Sequence, residues 1–269
     1  MTAVIKAHAY GNDFLLMPDE GAGSGDLSAL ARAVCHRHEG VGADGLILYR
    51  IRPHGAAMRL LNADGSWSEL SGNGLRCLAA AVARAQSLTA GTTVGVDTDA
   101  GHKALDLLAI DGARYEFRAG MGQPAELRQV QIPVGGEMVT ASVLRMGNPQ
   151  CIVLGPLPDG GRFRTLGPAL ATHPMFPAGT NVEFVQVDSR DRIRILIWER
   201  GVGPTSSSGT GSCAALVAAA SFGGAAHVAD VVAPGGAQRV EWLADAVYLT
   251  GWAEMIAEGE WLRQIPRTV

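Results

Sequence analysis

The sequence predicts a mixed α/β protein, rich in strand and built from two similar halves. Three observations carry that expectation. Short β-branched or alternating apolar runs recur along the chain, helical runs are few, and one helix-start pattern occurs twice. The pattern is Ser-Gly-polar-Gly ahead of an apolar stretch: "LSGNGLRCLAA" at 70–80 and "SGTGSCAALV" at 208–217.

The strand candidates are "GLILYRI" (45–51), "AMRLLNA" (57–63), "QCIVLG" (150–155), "VEFVQV" (182–187) and "IRILIWE" (193–199). A first helix is expected over 27–37, where apolar positions at helical spacing follow Asp26, a good N-cap. Two more begin near 73 and 210, behind the repeated pattern, and "FRTLGPALATH" at 163–173 supplies a fourth. Each half passes through strands, reaches a long helix after S-G-x-G and returns to strands. Ser71 and Ser208 lie 137 residues apart, about half the chain. Two pseudo-equivalent domains follow, joined near 115–125, with a second crossing close to the C-terminus. Such a duplication would set one helix N-terminus against the other across a cleft.

Composition narrows the function classes. The chain has 269 residues, 47% hydrophobic and 18% charged, which suits a soluble enzyme and excludes disorder. A net charge of −4 with no basic run argues against nucleic acid and against an anionic membrane surface. No signal peptide is visible, and nowhere do about 18 uncharged apolar residues follow one another. A cytoplasmic location is expected. Cys35, Cys77, Cys151 and Cys213 lack C-x-x-C or C-x-x-H spacing, so they read as free, mostly buried thiols. No metal is implied.

A helix N-terminus presents unpaired N–H groups and partial positive charge, and glycines let a ligand approach the backbone. S-G-N-G and S-G-T-G therefore read as small anion cradles with a hydroxyl at the lip, and equally as plain serine N-caps. Neither matches a hydrolase nucleophile elbow, a phosphate loop or a dinucleotide fingerprint. Asn12, Asn62, Asn148 and Asn181 sit at turns beside strands, where asparagine commonly forms Asx turns. With "WERGVG" (198–203) they could instead clamp a zwitterion. Arg200 would take a carboxylate in bidentate fashion and Glu199 an ammonium.

"HAYGNDF", "GVGADGLIL", "NADGSWSELSGNGLRC", "VDTDAG", "MGNPQ", "HPMFPAGTNVEF" and "ERGVGPTSSSGTGSCAA" together resemble the diaminopimelate epimerase family, in order and over nearly the whole chain. The resemblance implies two pseudo-symmetric α/β domains, each a curved, mostly antiparallel sheet around a central helix. The expected domains are 1–118, with 255–269 crossing back, and 119–254. It implies an isomerase that interconverts LL- and meso-diaminopimelate on the route to lysine, with no cofactor and no metal. A small-molecule amino acid is the expected partner; a homodimer is a further expectation that no residue pattern in the sequence carries. Carried over by position, Asn12, Gly72, Asn73, Gly209 and Thr210 fall around the reacting carbon. Asn62, Asn148, Asn181, Glu199 and Arg200 fall in the clamp for the distal end of the substrate.

The departures from the family pattern lie at the chemistry. Ser71 and Ser208 stand where the resemblance places the two proton-transferring cysteines, Pro204 where it places a glutamate, and Gln150 where it places a histidine. A thiol ionises near ~8.5, whereas an alcohol is roughly as weak an acid as water, on the order of 15.7. That gap of about seven units is worth roughly 10 kcal/mol, of which helix dipoles recover only a few. Three alternatives follow: epimerisation through hydroxyls, a different proton shift, or binding without turnover.

Overall fold

The computed structural model describes residues 2–22 and 25–262. The chain forms two compact units. One runs to Ala119 and resumes at Trp252; the other is Gly120–Gly251.

In the N-terminal unit, β1 (Thr2–Ala9) and β2 (Asn12–Pro18) form an antiparallel hairpin. Its turn, Tyr10-Gly11, has both φ angles positive, at 56° and 84°. Helix α1 (Leu27–Cys35) then crosses over to β3 (Gly45–Arg52), which lies parallel to β2. β3 turns antiparallel into β4 (Gly55–Asn62), followed by the short β5 (Trp67–Ser68). Helix α2 (Gly72–Ala85) leads to β6 (Thr93–Thr98), parallel to β4. The antiparallel strands β7 (Gly101–Asp111) and β8 (Arg114–Gly120) complete the run.

The C-terminal unit repeats this order. β9 (Ala125–Val134) and β10 (Glu137–Met146) are antiparallel, and β10 turns into β11 (Asn148–Leu154). Helix α3 (Gly160–Ala171) crosses over to β12 (Asn181–Ser189), parallel to β11. Then come β13 (Arg192–Glu199), the short β14 (Gly203–Thr205), and helix α4 (Gly209–Phe222). β15 (Val228–Ala233) runs parallel to β13, and β16 (Gly236–Trp242) pairs antiparallel with it. The last strand, β17 (Val247–Trp261), begins beside β16 and ends beside β1.

Each unit is a mostly antiparallel sheet curved around one central helix, so the fold is α+β. Helix α2 touches β1, β2, β3, β4 and β6, and α4 touches β10, β11, β12, β13, β15 and β16. Both helices are buried on nearly all sides, which the alanine runs permit because small side chains let strands approach. Outside the sheet, α1 and α3 cover its other face. Strand alternation serves both layers: Phe14 and Leu16 pack toward α2, Leu15 and Met17 toward α1. In β12, Val185 packs toward α4 while Val182 and Phe184 pack toward α3.

The helices differ from expectation only at their ends. α1 stops at Cys35, where His36 turns extended (φ −62°, ψ 124°). α3 starts at Gly160, because Asp159 accepts from Arg162 N at 2.8 Å and caps it earlier than the apolar pattern indicates. Among the described residues no helix is long and apolar enough to cross a membrane.

Candidate active site

The N-termini of α2 and α4 have the same local construction. Ser71 is extended (φ −130°, ψ 122°), and its Oγ accepts from Gly74 N at 3.2 Å. Ser208 is extended (φ −142°, ψ 125°), and its Oγ accepts from Gly211 N at 3.1 Å. Each serine is thus an N-cap that satisfies the third helical N–H and keeps its own O–H to donate. The N–H groups of Gly72 and Asn73, and of Gly209 and Thr210, occupy the first two helical positions, where no intrahelical partner exists. N-cap and anion cradle are therefore compatible readings of one geometry.

Strand register gathers the other candidates at the same sheet end in each unit. In the N-terminal unit Phe14 pairs with Gly45, and Gly45 with Asn62, so Asn12 and Asn62 flank that end. Asn12 is half-buried, whereas Asn62 is exposed and donates through Nδ2 to Ser66 Oγ at 2.9 Å within its turn. Asn73 is buried one residue into α2, and Arg76 of the same helix donates to its Oδ1. The Arg76 guanidinium lies 5.7 Å from the centre of the Tyr10 ring, whose hydroxyl accepts from Trp252 N at 3.2 Å. Asp13, beside Asn12, takes two 2.8 Å hydrogen bonds from Arg37, and Lys6 Nζ lies 3.1 Å away. Burial alone would raise the Asp13 pKa; the Arg37 and Lys6 hydrogen bonds overcome it and hold it at about 2.

In the C-terminal unit Gln150 pairs with Asn181 at the start of β12, and Val182 with Trp198 near the end of β13. Asn148, Asn181, Glu199, Arg200 and the α4 N-terminus therefore share one end of the sheet. Asn181 Oδ1 accepts from Arg200 N at 2.9 Å, and Arg200 Nη1 donates to Ala178 O at 2.9 Å. These bonds fix the Glu199-Arg200 corner while the guanidinium stays exposed. Burial pushes the Glu199 carboxyl above its ordinary pKa. Gln150 connects two other candidates, its amide lying 2.6 Å from Asn148 Oδ1 and 3.2 Å from Thr210 Oγ1.

All four cysteines are free and buried. Cys77 and Cys213 face the core from α2 and α4, and burial pushes the thiols of Cys35, Cys77 and Cys151 up to about 12. Those three thiols are not ionised at neutral pH, and the groups at the helix N-termini are hydroxyls. Two residues that the motifs did not single out also belong here. Arg76 holds Asn73, and Glu183 is fully buried with its carboxyl against the first turn of α4. A signal for the latter existed: an acid inside "NVEFV", a strand apolar on both faces, calls for a buried partner.

The comparisons with known proteins place the chain in a family. The family model described as diaminopimelate epimerase matches residues 4–125 and 142–256. A diaminopimelate epimerase from Desulforudis audaxviator is 44% identical, over 96% of this chain and 98% of its own. One from Moorella thermoacetica is 39% identical, over 95% and 98%. Among solved structures, a hydroxyproline epimerase from Agrobacterium vitis shares the fold at a TM-score of 0.67 and 18% identity, covering 96% of this chain and 90% of that one. With matched residues in both units and identity above a third across almost the full length, the chain belongs to the diaminopimelate epimerase family.

Proposed function

We propose that this chain epimerises LL-diaminopimelate to meso-diaminopimelate, with the Ser71 and Ser208 hydroxyls as the two proton-transferring groups. Family membership along both units carries the reading, and the paired serine-capped helices support it. In this reading one hydroxyl takes the α-proton while the other delivers a proton to the opposite face. The N–H groups that open α2 and α4 behind Ser71 and Ser208 hold the α-carboxylate, with Gly72, Asn73, Gly209 and Thr210 forming the cradle. Asn12 lines the reacting centre. Asn62, Asn148, Asn181, Glu199 and Arg200 hold the distal amino acid end, Arg200 by its carboxylate and Glu199 by its ammonium. The enzyme works as a cytoplasmic protein, free or as a homodimer, and needs neither cofactor nor metal.

One observation favours a second reading. Three of the buried thiols are pushed up to about 12 and the groups capping α2 and α4 are alcohols, so a strong base is missing from both helix N-termini. The chain would then bind diaminopimelate without turnover. Incubation with LL-diaminopimelate in deuterated water separates the two. Solvent deuterium at the α-carbon is expected for the epimerase. Tight binding without exchange would establish the second reading, and no binding would defeat both.

A further inference from the structure

The internal repeat supplies its own control for what surrounds each central helix. Parallel pairing sets Phe14 opposite Gly45 and Gln150 opposite Asn181. Phe14 and Gln150 are therefore equivalent, and so are Ile47 and Glu183, each two residues further along the neighbouring strand. All four face the central helix of their unit. A Cβ added at Gly74 would meet Ile47 Cδ1 at 2.9 Å and the Phe14 ring at 3.3 Å; one added at Gly211 would meet Glu183 Oε1 at 2.4 Å. The N-terminal unit seats its helix on hydrocarbon. The C-terminal unit seats it on a carboxyl that is 0% exposed. Burying polar groups where an apolar pair suffices opposes folding, and the first unit demonstrates that the architecture does not require it.

The hydrogen-bond geometry indicates what the polar pair does. One end of the Gln150 amide lies 2.6 Å from Asn148 Oδ1 and 3.2 Å from Thr210 Oγ1. The other end lies 3.1 Å from each Glu183 oxygen. An ionised Glu183 offers only acceptors, so the amide nitrogen would have to face it. The Gln150 carbonyl would then oppose Asn148 Oδ1, and Asn148 would have to turn as well. One proton on Glu183 removes both conflicts.

We propose that Glu183 is a positioning residue: as a neutral acid it donates its O–H to Gln150 Oε1, which fixes Gln150 Nε2 on Asn148 and Thr210 at the start of α4. The surroundings favour the neutral form. Burial, and then the charge of Glu199 on β13, hold the Glu183 acid well above the carboxylate range. Cys151 of β11 contributes no charge, its thiol being pushed up to about 12. The N-terminus of α4 opposes this, yet the amide of Gly211, the residue whose added Cβ would meet the carboxyl, is already committed to Ser208 Oγ.

Two measurements test the proposal, and the first is independent of the diaminopimelate reading on which the second rests. Infrared difference spectra of the whole chain at neutral pH should show a protonated carboxylic acid band that Glu183→Gln abolishes and Gln150→Leu shifts. A spectrum with only carboxylate at Glu183 would overturn the proposal. The second transplants the N-terminal pair by Glu183→Ile with Gln150→Phe. That chain should fold, yet bind LL-diaminopimelate roughly tenfold more weakly, the worth of about one lost hydrogen bond. Glu183→Gln, which can still donate to Gln150, should rescue most of that loss. Wild-type affinity in the transplant would overturn the positioning role. If the wild-type chain binds no diaminopimelate, the functional reading fails while the infrared band still decides the state of Glu183.

Discussion

The N-termini of α2 and α4 share a backbone and differ in what supports it. Both begin with an extended serine whose Oγ accepts from the third helical N–H, at 3.2 and 3.1 Å. Behind the first stand Phe14 and Ile47; behind the second stand Gln150 and Glu183. The polar residue at the second helical position also finds different support. Asn73 is held by Arg76 from its own helix, Thr210 by Gln150 from a neighbouring strand. Duplication has kept the cap, which depends on φ, ψ and one hydroxyl, and let the polar surroundings diverge. Equivalent positions in the two units are thus not interchangeable, and four experiments bear on how far that asymmetry extends.

The largest effect concerns the feature the two helices share. Ser71→Cys combined with Ser208→Cys should raise α-proton exchange of diaminopimelate by orders of magnitude, because a thiol forms its base about seven pKa units more readily than an alcohol. Each single change should help far less, since epimerisation needs a base on one face and an acid on the other. Deuterium incorporation measures it. If the double variant binds yet stays inert, Pro204 and Gln150 become the residues that redirect the chemistry.

The next experiment addresses the support. Gly211→Ala drives a methyl group into the Glu183 carboxyl and should cost about 2 kcal/mol, overpacking outweighing the better helix propensity of alanine. Gly74→Ala meets first the flexible end of Ile47 and should cost less than about 1 kcal/mol. Denaturant unfolding of the two variants compares them directly. Equal costs would mean that the carboxyl yields as easily as an isoleucine methyl.

How much of this was legible in the sequence depends on the range of the interaction. The caps were legible because S-G-x-G sets φ, hydroxyl and helix start within four residues, and because it occurs twice. The strands over 150–155, 182–187 and 193–199 announced themselves through apolar runs. β7 did not, since its outward residues are exposed and polar residues interrupt the pattern. The equivalence of Ile47 with Glu183 was hidden for another reason. It follows from parallel register between strands separated by a crossover helix, and no local pattern encodes that register. Family resemblance drew attention to Gln150 as a departure, but only its distance to Glu183 gives the departure a physical partner.

Asymmetry also reaches the strand beside each site. β2 opens with Asn12-Asp13, and Asp13 is tied to Arg37 and Lys6; β11 opens with Asn148-Pro149, which has no charge at that place. The folded Asp13 pKa of about 2 lies below the ordinary carboxylate value of about 3.9. Its contribution, on the order of 2 kcal/mol, is therefore present above about pH 4 and is lost as pH falls toward 2. Asp13→Asn should remove that stability at neutral pH and flatten the acid limb of the unfolding profile. A pH profile parallel to wild type would mean that other carboxylates govern acid unfolding.

The smallest effect separates the two roles of each serine. Replacing an N-cap serine by alanine typically costs about 1 kcal/mol, whereas glycine costs only a few tenths, because glycine leaves the amide open to water. Ser71→Ala and Ser208→Ala should therefore destabilise the chain by about 1 kcal/mol each, and nearly equally, since the caps have the same geometry. Ser71→Gly and Ser208→Gly should leave stability almost unchanged while removing the hydroxyl. If the hydroxyls carry the proton, the glycine variants lose α-proton exchange without losing the fold, and capping cannot account for the loss. If exchange survives in both glycine variants, the serines are caps alone and the proton moves through another group. A larger cost for Ser208→Ala than for Ser71→Ala would have a specific source. Ser208 Oγ and the Glu183 carboxyl crowd the same side of Gly211, so removing the hydroxyl there also removes a neighbour of the buried acid.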